Sequence, residues 1–313
     1  MRNKHILISA KCDIPLIKNI IKKLEDINEL KLDYHDPIKD SINLKDFYLK
    51  LKDYDLIITK VAGESSIDLL YMAKLFNIPT INNLSSILLC KNKIALDSAL
   101  RNTFEKHKKE IKDFNLPNSW IHPSPLKDLK HFKDWATPKL PLVFKSHDQH
   151  NEFFRFNFLA RDRNEIDDFI LSKKDFLYFD LYIQEFIECD GIDRKVYVIG
   201  DKMYGVQREN PIYIYLREKL ESINVEEIER KPFILDDNVK NLSKILSKEL
   251  NLNIFGFDLV KPLHKTGYYL LDLNDFPGFR GIKGIDQVIV EYILDYLQEL
   301  EKKSRQNPNL KNY

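Results

Sequence analysis

Three oxygen-bearing side chains near the carboxyl end of the chain have the spacing of a divalent-cation site. They lie in the segment GFDLVKPLHKTGYYLLDLNDFPGFRG, which contains two apolar stretches rich in strand-forming residues. Asp272 and Asn274 are two residues apart in one stretch, so we predict that both project from one face, with Leu271 and Leu273 on the other. Asp258 falls in the other stretch, which we expect on the neighbouring strand. Such a set suits Mg²⁺ bound together with nucleotide phosphates, and the alternative is that these acids pair with lysines or cap strand ends.

Two lysines follow predicted strands in the amino-terminal part of the chain. HILISA, YDLIITK and IPTIN have the composition of buried strands, whereas residues 14–25 and SSIDLLYMAKLFN have helical spacing. This order predicts a parallel sheet with right-handed crossovers, whose ligand-binding edge lies beyond the carboxyl ends of the strands. Lys11 and Lys60 stand at two of those ends and can converge on an anionic ligand. Ordinary solvated surface lysines are the alternative.

The middle of the chain predicts a further nucleotide-facing lysine. A helix from about Lys91 to Lys112 is followed by the proline-rich connection NLPNSWIHPSPLKD, which marks a boundary. The strand LPLVFK ends at Lys145, and the polar loop SHDQHNE leads into a second strand, FFRFNFLA. This hairpin-like arrangement would lay a loop over a nucleotide and place Lys145 near its phosphates.

Two strands then surround a predicted turn at Gly200–Asp201. The stretch DLYIQEFI leads to RKVYVIGDKMYGVQREN, in which Lys195 and Tyr197 share the face opposite Val196. The last element is the amphipathic helix DQVIVEYILDYLQELEKK, and we expect the polar tail at 303–313 to be disordered.

Length and composition predict an ordinary globular protein of several subdomains. The chain has 313 residues, more than a usual single core, with 43% apolar residues and 49 basic against 48 acidic side chains. The balanced charge argues against nonspecific nucleic-acid binding. No apolar run is long enough for a membrane span, and the amino-terminal one is too short for a signal peptide, so we expect a cytoplasmic protein without membrane contact. We expect a monomer.

The cysteines predict neither a disulfide framework nor a zinc cluster. Cys12, Cys90 and Cys189 are odd in number, far apart and without a CxxC pair.

These motifs together resemble the ATP-grasp superfamily, whose members clamp ATP between two α+β units and use Mg²⁺ to activate its terminal phosphate. The resemblance lies in PLVFK, YIQEFIECDGIDRKVYVIGDKMYGVQR, GFD and LLDLNDFPG. Within the superfamily the motifs most resemble those of the inositol 1,3,4-trisphosphate 5/6-kinase family, also called inositol-tetrakisphosphate 1-kinases. The shared features are a lysine after the first strand, an I-x-K strand end, an ATP lysine followed five residues later by histidine, K-V-[FY]-V-[IV]-G leading to Q-R, and D-x-N-x-F-P-G.

The resemblance implies a role for each matching residue. Lys93 and Lys145 would contact the ATP phosphates. Gln184, Glu185 and Ile187 would form the hinge that meets adenine, and Asn210 would also belong to the ATP-binding residues. Mg²⁺ would be held by Asp258, Asp272 and Asn274. The phosphorylated substrate would face Lys11, Lys60, His150, Lys195, Asn274 and Gly278, and the reaction itself would involve His150, Lys195 and Arg208. The chain departs from the family where Asn151 follows His150 in place of glycine and Asn210 replaces a serine.

The resemblance also implies the architecture. We expect the α/β and α+β ATP-grasp fold with a Rossmann-like parallel-sheet subdomain at 1–90, a central subdomain at 91–187 and a metal-binding subdomain at 188–302.

The function implied is transfer of the γ-phosphate of ATP to a hydroxyl of inositol or an inositol phosphate, a small anionic substrate. The alternative is a RimK-like carboxylate–amine ligase that works through an acyl-phosphate. Asp272, the spacing of Lys195 and Arg208, and His150 favour the kinase, although an exposed loop histidine is an equal interpretation of His150. A nucleotide-binding regulatory module is less favoured because the metal set is complete.

Overall fold

The protein is described by a computed structural model that covers residues 4–146, 156–218 and 224–306. The first sheet is parallel, with strand order β2-β1-β3-β4. Its strands are β1 (Lys4–Ser9), β2 (Leu30–His35), β3 (Leu56–Thr59) and β4 (Thr80–Ile81). The helices of this part are α1 (Pro15–Glu25), α2 (Leu44–Leu51), α3 (Glu64–Leu75) and α4 (Leu84–Lys91).

The predicted helix from about Lys91 to Lys112 is present, but it begins only after a break from α4 and ends at Lys106. After α4, the helix α5 (Lys93–Lys106) starts again at Asn92, whose extended backbone breaks the helix. The Asn92 side chain accepts hydrogen bonds from the amides of Ile94 and Ala95 at 3.1 and 3.0 Å and thereby caps α5. A short strand, β5 (Phe114–Asn115), follows.

The second sheet is antiparallel, with strand order β6-β9-β7-β8. It consists of β6 (Ser119–His122), β7 (Leu142–Lys145), β8 (Asn157–Ala160) and β9 (Leu181–Glu185), with helices α6 (Leu129–Ala136) and α7 (Arg163–Ser172). The predicted pairing of LPLVFK with the following strand is confirmed, although within the described residues that strand starts only at Asn157. Short 3₁₀ turns lie at Pro125–Lys127, Thr137–Lys139 and Lys174–Phe176.

The third sheet has the order β12-β11-β10-β13-β14-β5, antiparallel except for β5, which pairs parallel to β14. Its remaining strands are β10 (Ile192–Ile199), β11 (Lys202–Glu209), β12 (Lys231–Pro232), β13 (Ile254–Val260) and β14 (Tyr268–Asp275). The helices are α8 (Pro211–Glu218), α9 (Asp237–Leu250) and α10 (Ile285–Gln306). Gly200 makes the predicted β10–β11 turn with φ of 55°.

The last helix extends further than the sequence predicts. α10 continues to Gln306, so the first residues of the expected tail are helical, and 307–313 lie outside the described part of the chain. Among the described residues, no helix is both long and apolar enough to span a bilayer.

The first and third sheets share one hydrophobic core. Ile6 and Ile8 of β1 and Ile17 of α1 pack in the same cluster as Tyr197 of β10 and Ile293 of α10. The opposite face of the third sheet packs against α5 and α9, and the second sheet has a separate, phenylalanine-rich core. The helix α5 therefore packs on the third sheet, although the predicted subdomain division places it in the central unit.

Candidate active site

The two predicted metal carboxylates lie directly opposite each other on neighbouring strands. Asp258 of β13 pairs with Asp272 of β14 in antiparallel register, which confirms the expected placement of Asp258. Both side chains are partly open, with exposed fractions of 26% and 32%. Residues paired across adjacent strands project from the same face, so the carboxylates face one side together.

An irregularity beside this pair changes the predicted alternation of β14. The register shifts between Asp258 and Leu259, so that Leu270 faces Leu259 and Leu271 becomes an extra residue. Leu270 and Leu273 pack in the core under α9, whereas Leu271 packs with a different cluster. The prediction that Leu271 lies opposite Asp272 is therefore wrong, because the bulge turns Leu271 toward the same side.

Asp272 is held ionised by the lysines around it. The ammonium of Lys93, the first residue of α5, forms an ion pair with Asp272 Oδ1, and Asn274 Nδ2 donates to Asp272 Oδ2 at 3.2 Å. Burial alone would raise the pKa of Asp272, but the charges of Lys93 and Lys145 and these hydrogen bonds outweigh it and lower the pKa to about 2.

Lys145 is the last residue of β7, and it lines the same cleft as Asp272. Its ammonium donates to Gln184 Oε1 at 2.8 Å. Burial lowers the pKa of Lys145 to about 8, and the nearby charge of Asp272 limits the decrease. Lys145 is therefore a cation whose charge an incoming anion would stabilise.

A second group of charges lies on the same face, further along β10 and β11. Lys195 Nζ contacts Asp258 Oδ2 at 2.5 Å. Burial opposes its charge, but the attraction of Asp258 and Asp193 raises the pKa of Lys195. Arg208 is paired with Asp193 across the two strands, at 3.4 Å from Nη2 to Oδ2. Asn210 donates to Asp193 Oδ1 at 2.6 Å and accepts from the amide of Ile212 at 2.8 Å, so its side chain contacts protein groups at both ends.

The substrate-facing lysines predicted in the first sheet stand at neighbouring strand ends. The backbone amide of Lys60 donates to Ser9 O at 2.9 Å. Ser9 is the last residue of β1 and precedes Lys11 by two positions, so Lys60 lies beside the end of β1. The ammonium of Lys60 donates to the carbonyl of Phe276, close to Gly278 in sequence. Burial lowers the pKa of Lys60 to about 8, and Asp275 partly offsets this effect. The structure thus brings Lys60 next to the DFPG segment.

His150 and Asn151 lie outside the described residues. The role predicted for His150 stays a prediction.

A cleft lies between the second and third sheets. Its polar lining includes three predicted residues with phosphate or metal roles and one from the hinge: Lys93, Lys145, Asp272 and Gln184. Of the other hinge residues, Glu185 accepts from Asn118 Nδ2 at 2.7 Å, and Ile187 packs beside Leu271, which lines the cleft.

Sequence reasoning missed all but Lys93 in one wall of this cleft. Lys93, Leu96, Asp97 and Leu100 line it together from α5, and Tyr182 lines it from β9. The signal was present as the helical spacing of positions 93, 96, 97 and 100, which places these residues on one face. The helix predicted from about Lys91 already contained these positions, but only Lys93 was singled out among them.

The donor set fits a hard divalent cation that also binds phosphate. Within the described ranges no group of three or more His, Cys, Asp and Glu side chains could hold a metal ion. Asp258 and Asp272, with the amide of Asn274, supply only two carboxylates. Mg²⁺ commonly takes one or two carboxylates from a protein and completes its shell with substrate phosphates and water. The Lys93 and Lys195 ammonium groups now neutralise the same two carboxylates.

Comparison with solved structures identifies the fold. The RimK domain ATP-grasp protein of Sphaerobacter thermophilus superposes with a TM-score of 0.65 at 13% identity, covering 92% of this chain and 99% of that one. D-alanine–D-alanine ligase of Bacillus anthracis gives a TM-score of 0.65 at 16% identity, covering 96% and 99%. The protein has the ATP-grasp fold.

Sequence comparison points to a particular family within it. The family model described as "Inositol 1,3,4-trisphosphate 5/6-kinase ATP-grasp domain" matches residues 216–295, the part that contains the metal candidates. Inositol-tetrakisphosphate 1-kinase 1 of Oryza sativa subsp. indica is 28% identical over 141 residues, 39% of this chain and 40% of that protein. Inositol-tetrakisphosphate 1-kinase 3 of Glycine max is 24% identical over 141 residues, 39% of this chain and 40% of that protein. The match thus spans about two fifths of these relatives, and it confirms the resemblance to the inositol kinase family that the motifs predicted.

Proposed function

We propose that this protein is an ATP- and Mg²⁺-dependent kinase that transfers the γ-phosphate of ATP to a hydroxyl of inositol or an inositol phosphate. The observation that carries the proposal is the pair of carboxylates Asp258 and Asp272, which lie opposite each other on neighbouring strands, with Asp272 lining the cleft together with Lys93 and Lys145. The similarity to inositol-tetrakisphosphate 1-kinases supports the choice of acceptor class.

The nucleotide would lie between the second and third sheets. Its base would meet the apolar part of the lining near Leu96 and Leu271 and the hinge at Gln184–Ile187, and its phosphates would meet Lys93 and Lys145. Asp258, Asp272 and Asn274 would hold Mg²⁺, which when bound supplies a positive charge on the terminal phosphate oxygens.

The acceptor would bind where the first and third sheets meet. Lys11 and Lys60 would contact it from the first sheet, and Lys195 and Arg208 from the third; the contact of Lys60 with Phe276 supports this arrangement. Four cationic side chains suit an acceptor that already carries phosphate groups. His150 is proposed to orient or deprotonate the attacking hydroxyl.

Phosphoryl transfer requires mainly alignment of the two reactants and neutralisation of charge on the transferring group. Arg208 is anchored by Asp193 on the face that carries Lys195 and Asp258, which is where such charge would develop. The lysines bound to Asp258 and Asp272 can move from the carboxylates to phosphate oxygens when the cation binds.

Phosphorus NMR with Mg²⁺-ATP and two acceptor pools tests the proposal. One pool holds inositol and its phosphates, and the other holds amino acids and short acidic peptides. A new phosphoester signal with one ADP per phosphoester in the first pool is the expected result. ADP and inorganic phosphate formed only with the second pool would instead assign the protein to the carboxylate–amine ligases, and Asp258→Asn serves as the inactive control.

A further inference from the structure

A chain of hydrogen bonds runs along the cleft wall from Lys145 to Asp97. Lys145 Nζ donates to Gln184 Oε1 at 2.8 Å, and Gln184 Nε2 donates to the Tyr182 hydroxyl at 3.2 Å. The Tyr182 hydroxyl in turn donates to Asp97 Oδ1 at 3.0 Å. Tyr182 and Gln184 are two residues apart on β9, and Tyr182 pairs with Lys145 across β7 and β9.

The two ends of this chain fix its direction. An ammonium group can only donate and a carboxylate can only accept, so Lys145 must donate inward and Asp97 must accept. The Tyr182 proton therefore points to Asp97, which leaves its oxygen to accept from Gln184. The Gln184 amide is then constrained to turn its nitrogen to Tyr182 and its oxygen to Lys145.

Asp97 is itself held in place from outside the cleft. Arg101, one helical turn later on α5, donates from Nε to Asp97 Oδ2 at 2.7 Å, and Ser119 Oγ donates to Oδ1 at 2.9 Å. Tyr182 and Gln184 are 6% and 5% exposed, so water has little access to replace a missing partner. The orientation of the Gln184 amide therefore depends on protein groups.

We propose that Tyr182 and Asp97 are positioning residues that act through Gln184 to hold the Lys145 ammonium toward the phosphates of the bound nucleotide. The inference rests on the nucleotide-binding part of the proposed function and is independent of the acceptor. If the Gln184 amide turned over, its NH₂ group would face the Lys145 ammonium, and the cation would lose its acceptor. Phosphate binding would weaken, whereas contacts of the base with the backbone of the hinge and with the apolar lining do not depend on the Gln184 side-chain amide and would be little affected.

The test is the affinity of Tyr182→Phe for two probes, Mg²⁺-ATP and adenosine, measured by calorimetry and by competition without acceptor. We expect ATP to bind about fivefold more weakly, the effect of about one lost hydrogen bond, and adenosine to change less than twofold. Tyr54→Phe is the matched control, because Tyr54 is also 6% exposed and its hydroxyl donates to a carboxylate, that of Asp33, at 2.7 Å away from the cleft. It should leave both affinities unchanged.

Asp97→Asn provides a second variant that keeps the shape of the site. An amide at position 97 can donate to Tyr182, which permits the chain to reverse, so we expect the same selective loss for ATP. Because both substitutions act through Gln184, the double variant should lose little more than either single variant. Equal losses for ATP and adenosine, additive losses, or unchanged ATP affinity in both variants would overturn the proposal.

The acceptor reaction separates this inference from the proposed function. If wild-type protein binds ATP and shows the selective losses but phosphorylates no inositol compound, the kinase assignment fails and the positioning role stands. If wild-type protein binds no ATP, both fail.

Discussion

The ion pair between Lys93 and Asp272 leads to a prediction that substitutions at these two residues affect the free energy of unfolding and the affinity for Mg²⁺-ATP differently. Lys93 has a side chain that is only 5% exposed, and its ammonium is paired with a carboxylate that is 32% exposed. Asp272→Asn removes the negative charge and leaves the Lys93 ammonium buried without its ion-pair partner. Breaking a fully buried pair costs about 3–5 kcal/mol, and partial solvent access reduces this to about 2 kcal/mol here.

The pKa of Asp272 gives a consistent magnitude. A shift from the ordinary value of 3.8 to about 2 corresponds to roughly 2 kcal/mol, before a reduction for solvent screening. Because the folded pKa is depressed, this stabilisation is present above pH 4 and is lost as the pH falls from about 4 to 2. Asp272→Asn should remove that part of the acid dependence.

Urea denaturation at pH 7 of Asp272→Asn, Lys93→Met and the double variant measures the coupling. We expect the double variant to be less destabilised than the sum of the single variants by about 1–2 kcal/mol, because no buried charge is left unpaired. Asp167→Asn is a control. Asp167 of α7 forms a partly exposed ion pair with Lys133 of α6, and this pair should contribute less than 1 kcal/mol to the unfolding free energy.

Calorimetric titration with Mg²⁺-ATP gives the second half of the prediction. The double variant recovers stability but lacks the carboxylate, so it should bind Mg²⁺-ATP at least tenfold more weakly than wild type, as should Asp272→Asn. Strict additivity of the unfolding free energies would refute the ion-pair argument. An unchanged Mg²⁺ dependence of ATP binding in Asp272→Asn would refute the metal assignment.

Three further outcomes follow from other contacts. Lys195→Ala should raise the KM for the acceptor more than the Kd for ATP, and equal losses in steady-state kinetics and calorimetry would contradict the assignment. Because the pKa of Lys60 is about 8, its charge falls as the pH rises from 7 to 9, so the acceptor KM should rise several-fold over that range in wild type and stay flat in Lys60→Met. Gly267→Ala should destabilise the fold by about 2 kcal/mol or more in thermal unfolding, because φ is +85° and the added Cβ would lie 2.1 Å from Asp113 O; a change below 0.5 kcal/mol would contradict this.

The parts of the fold that the sequence predicted are those with strong apolar periodicity or short-range geometry. The strands β1, β3 and β7, the turn at Gly200, and the placement of Asp258 on the strand beside Asp272 follow from residue type and spacing. The strand β2 and helix α2 were not foreseen, because an edge strand such as LKLDYH is half exposed and lacks a continuous apolar run.

Features that depend on long-range contacts were not predictable from one sequence. The bulge at Leu271 arises from the pairing of β13 with β14. The helix break at Asn92 is instead a local feature, in which the Asn92 side chain caps the amides of Ile94 and Ala95. The ion pairs that hold Asp258 and Asp272 required the relative placement of α5, β10 and β14. Lysine pairing, first considered as an alternative to metal binding, occurs at the same carboxylates that make up the proposed metal site.

The common core of the first and third sheets has a consequence for how the two reactants would meet. Lys60 and Asp272 belong to the first and third sheets, which share one continuous apolar core, so the distance between the proposed acceptor and metal sites would be set when the chain folds. Lys145 and Gln184 belong to the second sheet, which has its own interior. If the cleft opens, we expect the second sheet and its helices to rotate as one body relative to the first and third sheets. Such a movement would change the position of the proposed nucleotide and leave the proposed acceptor and metal sites in place.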